Sequence, residues 1–151
     1  MKEAEARELI AEMGRSMFER RLTFGSSGNI SLRIDGGWLM TPTGSSLGRL
    51  DPARLSKLDD SGKLISGDAP TKESFLHLAM YRERNGAGAV VHLHSTHSVA
   101  VSCLDGIDHD DVLPPITAYY VMRVGKLPLV PYYAPGDKAL GDAVGALAAK
   151  H

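Results

Sequence analysis

The segment Val90-Val91-His92-Leu93-His94-Ser95-Thr96-His97 constrains this chain most, because an apolar run ends there in two imidazoles two residues apart. Successive side chains of a β-strand point to opposite faces. A strand over Ala89 to His94 therefore sends His92 and His94 to one face and Val91 and Leu93 to the other. That geometry suits a single metal ion. Neutral imidazole nitrogen is a favoured zinc ligand, and a catalytic zinc takes three protein ligands and keeps a further position open for water or substrate. At least one more ligand must then come from elsewhere in the chain. Two histidines that are simply satisfied at a strand end remain the competing reading.

Composition bounds the answer. With 151 residues the chain is long enough for one domain with a proper core and too short to expect a second. Seventeen basic residues against eighteen acidic ones give a formal charge of -1, which offers no electrostatic footprint for nucleic acid or an anionic membrane. The single cysteine, Cys103, excludes a disulfide framework within the chain and favours a reducing, cytoplasmic setting. Its apolar neighbours predict a buried small hydrophobe rather than an activated thiolate. The N-terminus is charged, and no stretch of 18 apolar residues follows, so neither a secretion signal nor a membrane span is expected.

Helical and strand patterns alternate along the chain. Leu9, Ile10, Met13, Met17 and Phe18 recur at three- and four-residue intervals, predicting an amphipathic helix over residues 3–21 with that stripe inward. Ile30, Leu32 and Ile34 alternate with polar residues, Gly36-Gly37 offers a tight turn, and Trp38-Leu39-Met40 returns as a hairpin. Asp60-Ser61-Gly62 marks a turn between short strands at 54–58 and 63–66. Pro70-Thr71 opens a helix with Thr71 as N-cap and Phe75, Leu76, Ala79 and Met80 as its buried stripe. The strand 89–94 follows, then a helix from about Thr96, a strand over Leu127 to Val130, and a helix over Asp137 to Lys150.

Two loops, Gly25-Ser26-Ser27-Gly28-Asn29 and Thr41-Pro42-Thr43-Gly44-Ser45-Ser46, combine glycine with hydroxyl residues, which lets backbone N–H groups converge on a phosphate. Neither matches a P-loop or a dinucleotide fingerprint, and for either loop by itself an ordinary surface turn is the favoured reading. Glu73 stands in the first turn of its expected helix, where a carboxylate favours the helix dipole. Facing a metal, the same carboxylate can ligate the ion or move a proton as general acid/base. His77, four residues on, reads as a supporting or exposed histidine rather than a ligand.

Taken together, Gly28-Asn29-Ile30-Ser31, Thr41-Pro42-Thr43-Gly44, Pro70-Thr71-Lys72-Glu73 and His92-Leu93-His94-Ser95-Thr96-His97 resemble, in order, the motifs of the class II aldolase/adducin family. This is the family of L-fuculose-phosphate aldolase and L-ribulose-phosphate 4-epimerase, and the resemblance runs from about residue 9 to the end. It implies a three-layer α/β/α sandwich around a largely antiparallel sheet, one zinc per subunit, a sugar-phosphate substrate and a homotetramer with sites near subunit interfaces. It also implies His92 and His94 as zinc ligands and Glu73 as the acid/base that can approach the metal. Ser27, Gly28, Asn29, Thr43, Gly44 and Thr71 are implied around the substrate phosphate, with Lys72 and Tyr119 as further substrate contacts.

The run Trp38 to Gly48, the Pro-Thr-Lys-Glu form of the glutamate motif and the segment Pro114 to Gly125 look like one branch of this family, the 3-oxo-tetronate 4-phosphate decarboxylases. Lys72 stands where fuculose-phosphate aldolases carry a hydroxyl residue. It would pair with the phosphate or with the extra carboxylate of a sugar-acid substrate, or else be a solvated first-turn lysine. The family's third zinc histidine follows a buried strand downstream of the paired histidines in a His-Gly context. His151 lacks that context and is not assigned, so the domain over 1–151 is expected to be truncated at its C-terminus. The expected reaction is zinc-dependent decarboxylation to dihydroxyacetone phosphate and carbon dioxide through an enediolate. The alternatives are aldol cleavage of a ketose 1-phosphate such as L-fuculose 1-phosphate and a non-catalytic adducin-like binding module.

Overall fold

The computed structural model describes residues 2–151. In chain order the elements are α1 (Glu3–Glu19), β1 (Asn29–Ile34), β2 (Gly37–Met40), β3 (Ser56–Leu58), β4 (Leu64–Ser66), α2 (Ser74–Glu83), β5 (Ala89–His92), α3 (Thr96–Ser102), α4 (Ala118–Arg123) and α5 (Ala139–Ala148). Single helical turns at Leu47–Arg49 and Pro52–Arg54 join β2 to β3. The strands form one sheet in the order β4-β3-β2-β1-β5, and every neighbouring pair is antiparallel.

Strand alternation divides β1 between two layers. Ile30 and Leu32 face α1, where they join Ala6, Ile10, Leu39, Leu47 and Leu55 in the main core. Full burial of each large aliphatic side chain stabilises by about 2 kcal/mol, so this face anchors the fold. The helix approaches closely because position 14 is glycine; a Cβ there would lie 2.8 Å from the Leu47 carbonyl oxygen. On the opposite face Asn29 and Ser31 meet α2, and α5 packs over α2 with Gly141 against the Phe75 ring. Helices thus cover both faces of an antiparallel sheet, as the α/β/α expectation requires.

Several local expectations are corrected. The helix after Pro70 starts at Ser74, not Thr71, because residues 70–71 continue the sheet margin: Pro70 bridges Pro42 and the Thr71 N–H donates to the Thr41 carbonyl. The buried side chains of α2 are His77, Ala79 and Tyr81, while Phe75, Leu76 and Met80 are only half-buried. A polar face of β1 lies under this helix, so its stripe is partly polar too. On α1, Met13 and Phe18 remain partly exposed, and the buried face is Ala6, Ile10, Ala11 and Gly14. Leu127 to Val130 forms no strand, although Val112 N–H donates to Leu127 and Leu129 N–H to His109. Cys103 is exposed rather than buried, because α3 has no buried residue and no other element packs extensively on it. No helix among the described residues is long and apolar enough to cross a membrane.

Candidate active site

The register of β1 against β5 builds the site. Asn29 lies directly opposite His92, and directly paired residues of an antiparallel ladder project to the same face. That is the α2 face, where Glu73 stands at the N-cap position of α2. The Glu73 carboxylate caps no backbone N–H of its own helix. Asn29 Nδ2 donates to Glu73 Oε2 at 2.6 Å, which turns the carboxylate toward the sheet. His94 follows one alternation after His92, just past the strand end, and the two rings stand with centroids 4.8 Å apart.

Glu73, His92 and His94 each present one donor atom, and these atoms all lie within 4.8 Å of one another. Ligands at about 2.0–2.2 Å from a tetrahedral zinc are separated by about 3.4 Å, so small side-chain adjustments close this cluster on one ion. His92 Nδ1 supplies an independent test of fit. It is buried, lies 3.1 Å from Glu73 Oε2 and yet has no hydrogen-bond partner. The two atoms are close without meeting the geometry of a hydrogen bond. Burial lowers the His92 pKa; Glu73 opposes this and His94 adds to it, so the neutral, metal-ligating imidazole is favoured. The donor set of one carboxylate and two imidazoles suits zinc.

Ser27, Gly28, Asn29, Thr43, Gly44, Thr71 and Lys72 all line one cavity of about 450 Å³, together with Glu73 and His94. Gly28 has φ of +78°, and a Cβ at that position would lie 2.9 Å from the His92 carbonyl oxygen, so glycine lets the first loop lie against β5. Ser27 Oγ donates to the Phe24 carbonyl at 2.7 Å and holds the turn. Thr71 Oγ1 accepts from the Glu73 N–H at 3.3 Å, fixing the backbone that carries the carboxylate. Lys72 is exposed at the cavity margin. Tyr119 is not brought here: it lies on α4, 79% exposed. Pro135 and Gly136 complete the cavity wall from the loop before α5, and no motif in the sequence marks them.

Behind the carboxylate runs a buried polar chain. His77, fully buried, contacts Asn29 Oδ1 through Nε2 at 2.5 Å and Ser31 Oγ through Nδ1 at 2.6 Å. Ser31 Oγ in turn meets the Tyr81 hydroxyl at 3.0 Å. Burial, then the nearby His92, pushes the His77 pKa down to about 4 against the pull of Glu73. His77 is therefore a supporting histidine, as its spacing suggested. The sequence marks Ser31 only as a member of the Gly28-Asn29-Ile30-Ser31 motif and gives Tyr81 no role, although Glu73, His77 and Tyr81 recur every four residues and so share one helical face.

Residues 8–151 match the family model described as the class II aldolase and adducin N-terminal domain. The chain belongs to the class II aldolase and adducin family. A 3-oxo-tetronate 4-phosphate decarboxylase of Cupriavidus necator is 50% identical over 148 residues, covering 98% of this chain and 68% of that protein. An L-fuculose phosphate aldolase of Methanocaldococcus jannaschii is 34% identical over 128 residues, covering 85% of this chain and 67% of that protein. The crystal structure of YgbL from Escherichia coli matches with a TM-score of 0.94 and 51% identity, over 97% of this chain and 72% of that one. Decarboxylases and aldolases both break carbon–carbon bonds, and this member of the class II aldolase family is a carbon–carbon lyase of that kind.

Proposed function

We propose that the protein removes carbon dioxide from a 3-oxo-tetronate 4-phosphate to give dihydroxyacetone phosphate, with one zinc ion held by Glu73, His92 and His94. The observation that carries this reading is that Glu73 and His94 of that cluster line a cavity shared with glycine, hydroxyl groups and Lys72. The half-identical decarboxylase relative supports the choice of reaction. The backbone N–H groups of Gly28 and Gly44 themselves, with the Thr43 and Thr71 hydroxyls, suit a phosphate. Lys72 at the margin suits the second anionic group, the carboxylate that leaves.

The carboxylate of this substrate is β to a ketone, so the bond between C1 and C2 breaks with its electron pair passing into an enediolate over C2 and C3. Bound zinc would supply Lewis-acid stabilisation of the negative charge that develops on the substrate oxygens. Glu73 carries a proton from solvent to C2, which balances the reaction and yields the ketone product. Asn29 holds the Glu73 carboxylate in place, and His92 and His94 supply the other two ligands. Retention of the glutamate and both histidines argues against a non-catalytic adducin-like module.

Tyr119 stands exposed with Ile116 and Met122, an apolar surface that suits a neighbouring subunit of the proposed homotetramer. Sedimentation as a monomer at micromolar concentration would refute the tetramer. The reaction is tested by supplying 3-oxo-tetronate 4-phosphates and, separately, L-fuculose 1-phosphate, while following carbon dioxide and dihydroxyacetone phosphate. Carbon dioxide from the sugar acid is expected. Cleavage of the fuculose ester with no carbon dioxide from either sugar-acid epimer would establish the aldolase reading instead. Lys72→Ser is expected to weaken affinity for the acid substrate, and unchanged affinity would return Lys72 to the solvated surface.

A further inference from the structure

Alternate residues of β1 and every fourth residue of α2 interlock. The order of contact is Glu73, Asn29, His77, Ser31, Tyr81, each bonded to the next through its side chain. Arg33, the next position on the same face of β1, closes the row: its guanidinium lies 4.9 Å over the Tyr81 ring and donates to the Tyr81 carbonyl at 3.3 Å. The two repeats are commensurate. Two strand residues advance about 6.6 Å and four helical residues about 6.0 Å, so a strand and a helix running in the same direction can stay in step over three rungs.

Only one placement of protons satisfies every link. An ionised carboxylate accepts hydrogen bonds and donates none, so Asn29 must turn its NH₂ to Glu73 and its carbonyl oxygen to His77. His77 Nε2 therefore carries the hydrogen, and Nδ1 of the neutral ring accepts from the Ser31 hydroxyl. Ser31 Oγ then accepts from Tyr81. All donors point the same way, toward Glu73. Burial, which disfavours the imidazolium at His77, keeps this pattern intact at neutral pH.

We propose that His77 is a positioning residue for Glu73: together with Ser31 it holds Asn29 in the one amide orientation that donates to the Glu73 carboxylate. The consequence for metal binding rests on the reading of Glu73 as a zinc ligand. With Ser31 absent, only Asn29 is left to hold His77 in the Nε2–H tautomer. The opposite tautomer would accept from a flipped Asn29, whose carbonyl oxygen would then face the carboxylate and push it out of place. Asn29 is the one cavity-lining residue to which the His77 and Ser31 side chains are linked by hydrogen bonds, so their hydrogen-bonded route to Glu73 runs through it.

Two measurements test this. In the wild-type protein, ¹⁵N spectra of labelled histidine at pH 7 should show His77 as the Nε2–H tautomer, with its signals identified by their loss in His77→Gln. In Ser31→Ala, zinc affinity read by competition with a chromophoric chelator should fall about tenfold or more, the range typical of partners that orient metal ligands. An Nδ1–H tautomer or an imidazolium at His77 overturns the proposal, as does unchanged zinc affinity in a cooperatively folded Ser31→Ala. Should that variant not fold, the wild-type tautomer decides. Failure of the wild-type protein to bind zinc would defeat the metal reading above, and the His77 tautomer would still decide this one.

Discussion

Acidification is expected to destabilise this protein through His77 in particular. The ring is fully buried between α2 and β1, and burial holds its pKa down to about 4, against 6.5 for a histidine in the unfolded chain. Between those values the unfolded state binds a proton that the folded state refuses, so stability rises with pH across this window and falls as pH drops. A difference of about 2.5 units at about 1.36 kcal/mol per unit gives roughly 3 kcal/mol lost between pH 6.5 and 4. Against total stabilities of about 5–15 kcal/mol, that loss is large enough to measure. Its structural origin is burial first, since the imidazolium would lose its water between α2 and β1, with the nearby His92 adding to the penalty.

Carboxylates also titrate in this range, so the wild-type profile alone would not isolate the histidine. Urea unfolding should be followed from pH 7.5 to 4 with chelator present, for wild type and for His77→Gln, which keeps one donor and one acceptor but cannot ionise. The stability advantage of wild type over the variant should be constant above about pH 7 and shrink by roughly 3 kcal/mol toward pH 4. Parallel profiles would refute the reasoning, because they would mean that His77 is as readily protonated in the folded protein as in the unfolded chain.

Three further outcomes are expected. Replacing His92 and His94 together by alanine should abolish stoichiometric zinc in elemental analysis, and unchanged zinc content would dismiss the cluster as the metal site. Glu73→Gln should lower turnover by about 10²-fold or more while phosphate binding persists in calorimetry; near-wild-type rates would leave Glu73 without a proton-transfer role. Gly28→Ala places a methyl group at positive φ and 2.9 Å from the His92 carbonyl oxygen, so a thermal melt should show a loss on the order of 1–3 kcal/mol. An unshifted melting temperature would show that the loop can give way.

What was legible in the sequence follows a physical divide. The glycine-turned hairpin stands out because its apolar alternation coincides with the buried face, whereas the first helix and the strand ending at His92 are found by their periodicity although Met13, Phe18 and Val91 stay exposed. The candidate metal cluster of Glu73, His92 and His94 stands out as well, since its residue types are rare and their order along the chain is distinctive. The layer between α2 and β1 does not. Asn29, Ser31 and Arg33 alternate with Ile30, Leu32 and Ile34, and such alternation is what a strand with one solvated face also produces. On α2 the apolar residues Phe75, Leu76 and Met80 compete for the inward stripe, whereas the structure turns His77 and Tyr81 inward instead. Hydrophobicity cannot distinguish a polar face turned to water from one turned to a matching polar face. Only complementarity does so, because a buried polar group is tolerated where its partner is placed to meet it. The contact of strand residues 29 and 31 with helix residues 73, 77 and 81 is such a match, and it fixes the carboxylate on which the proposed chemistry depends.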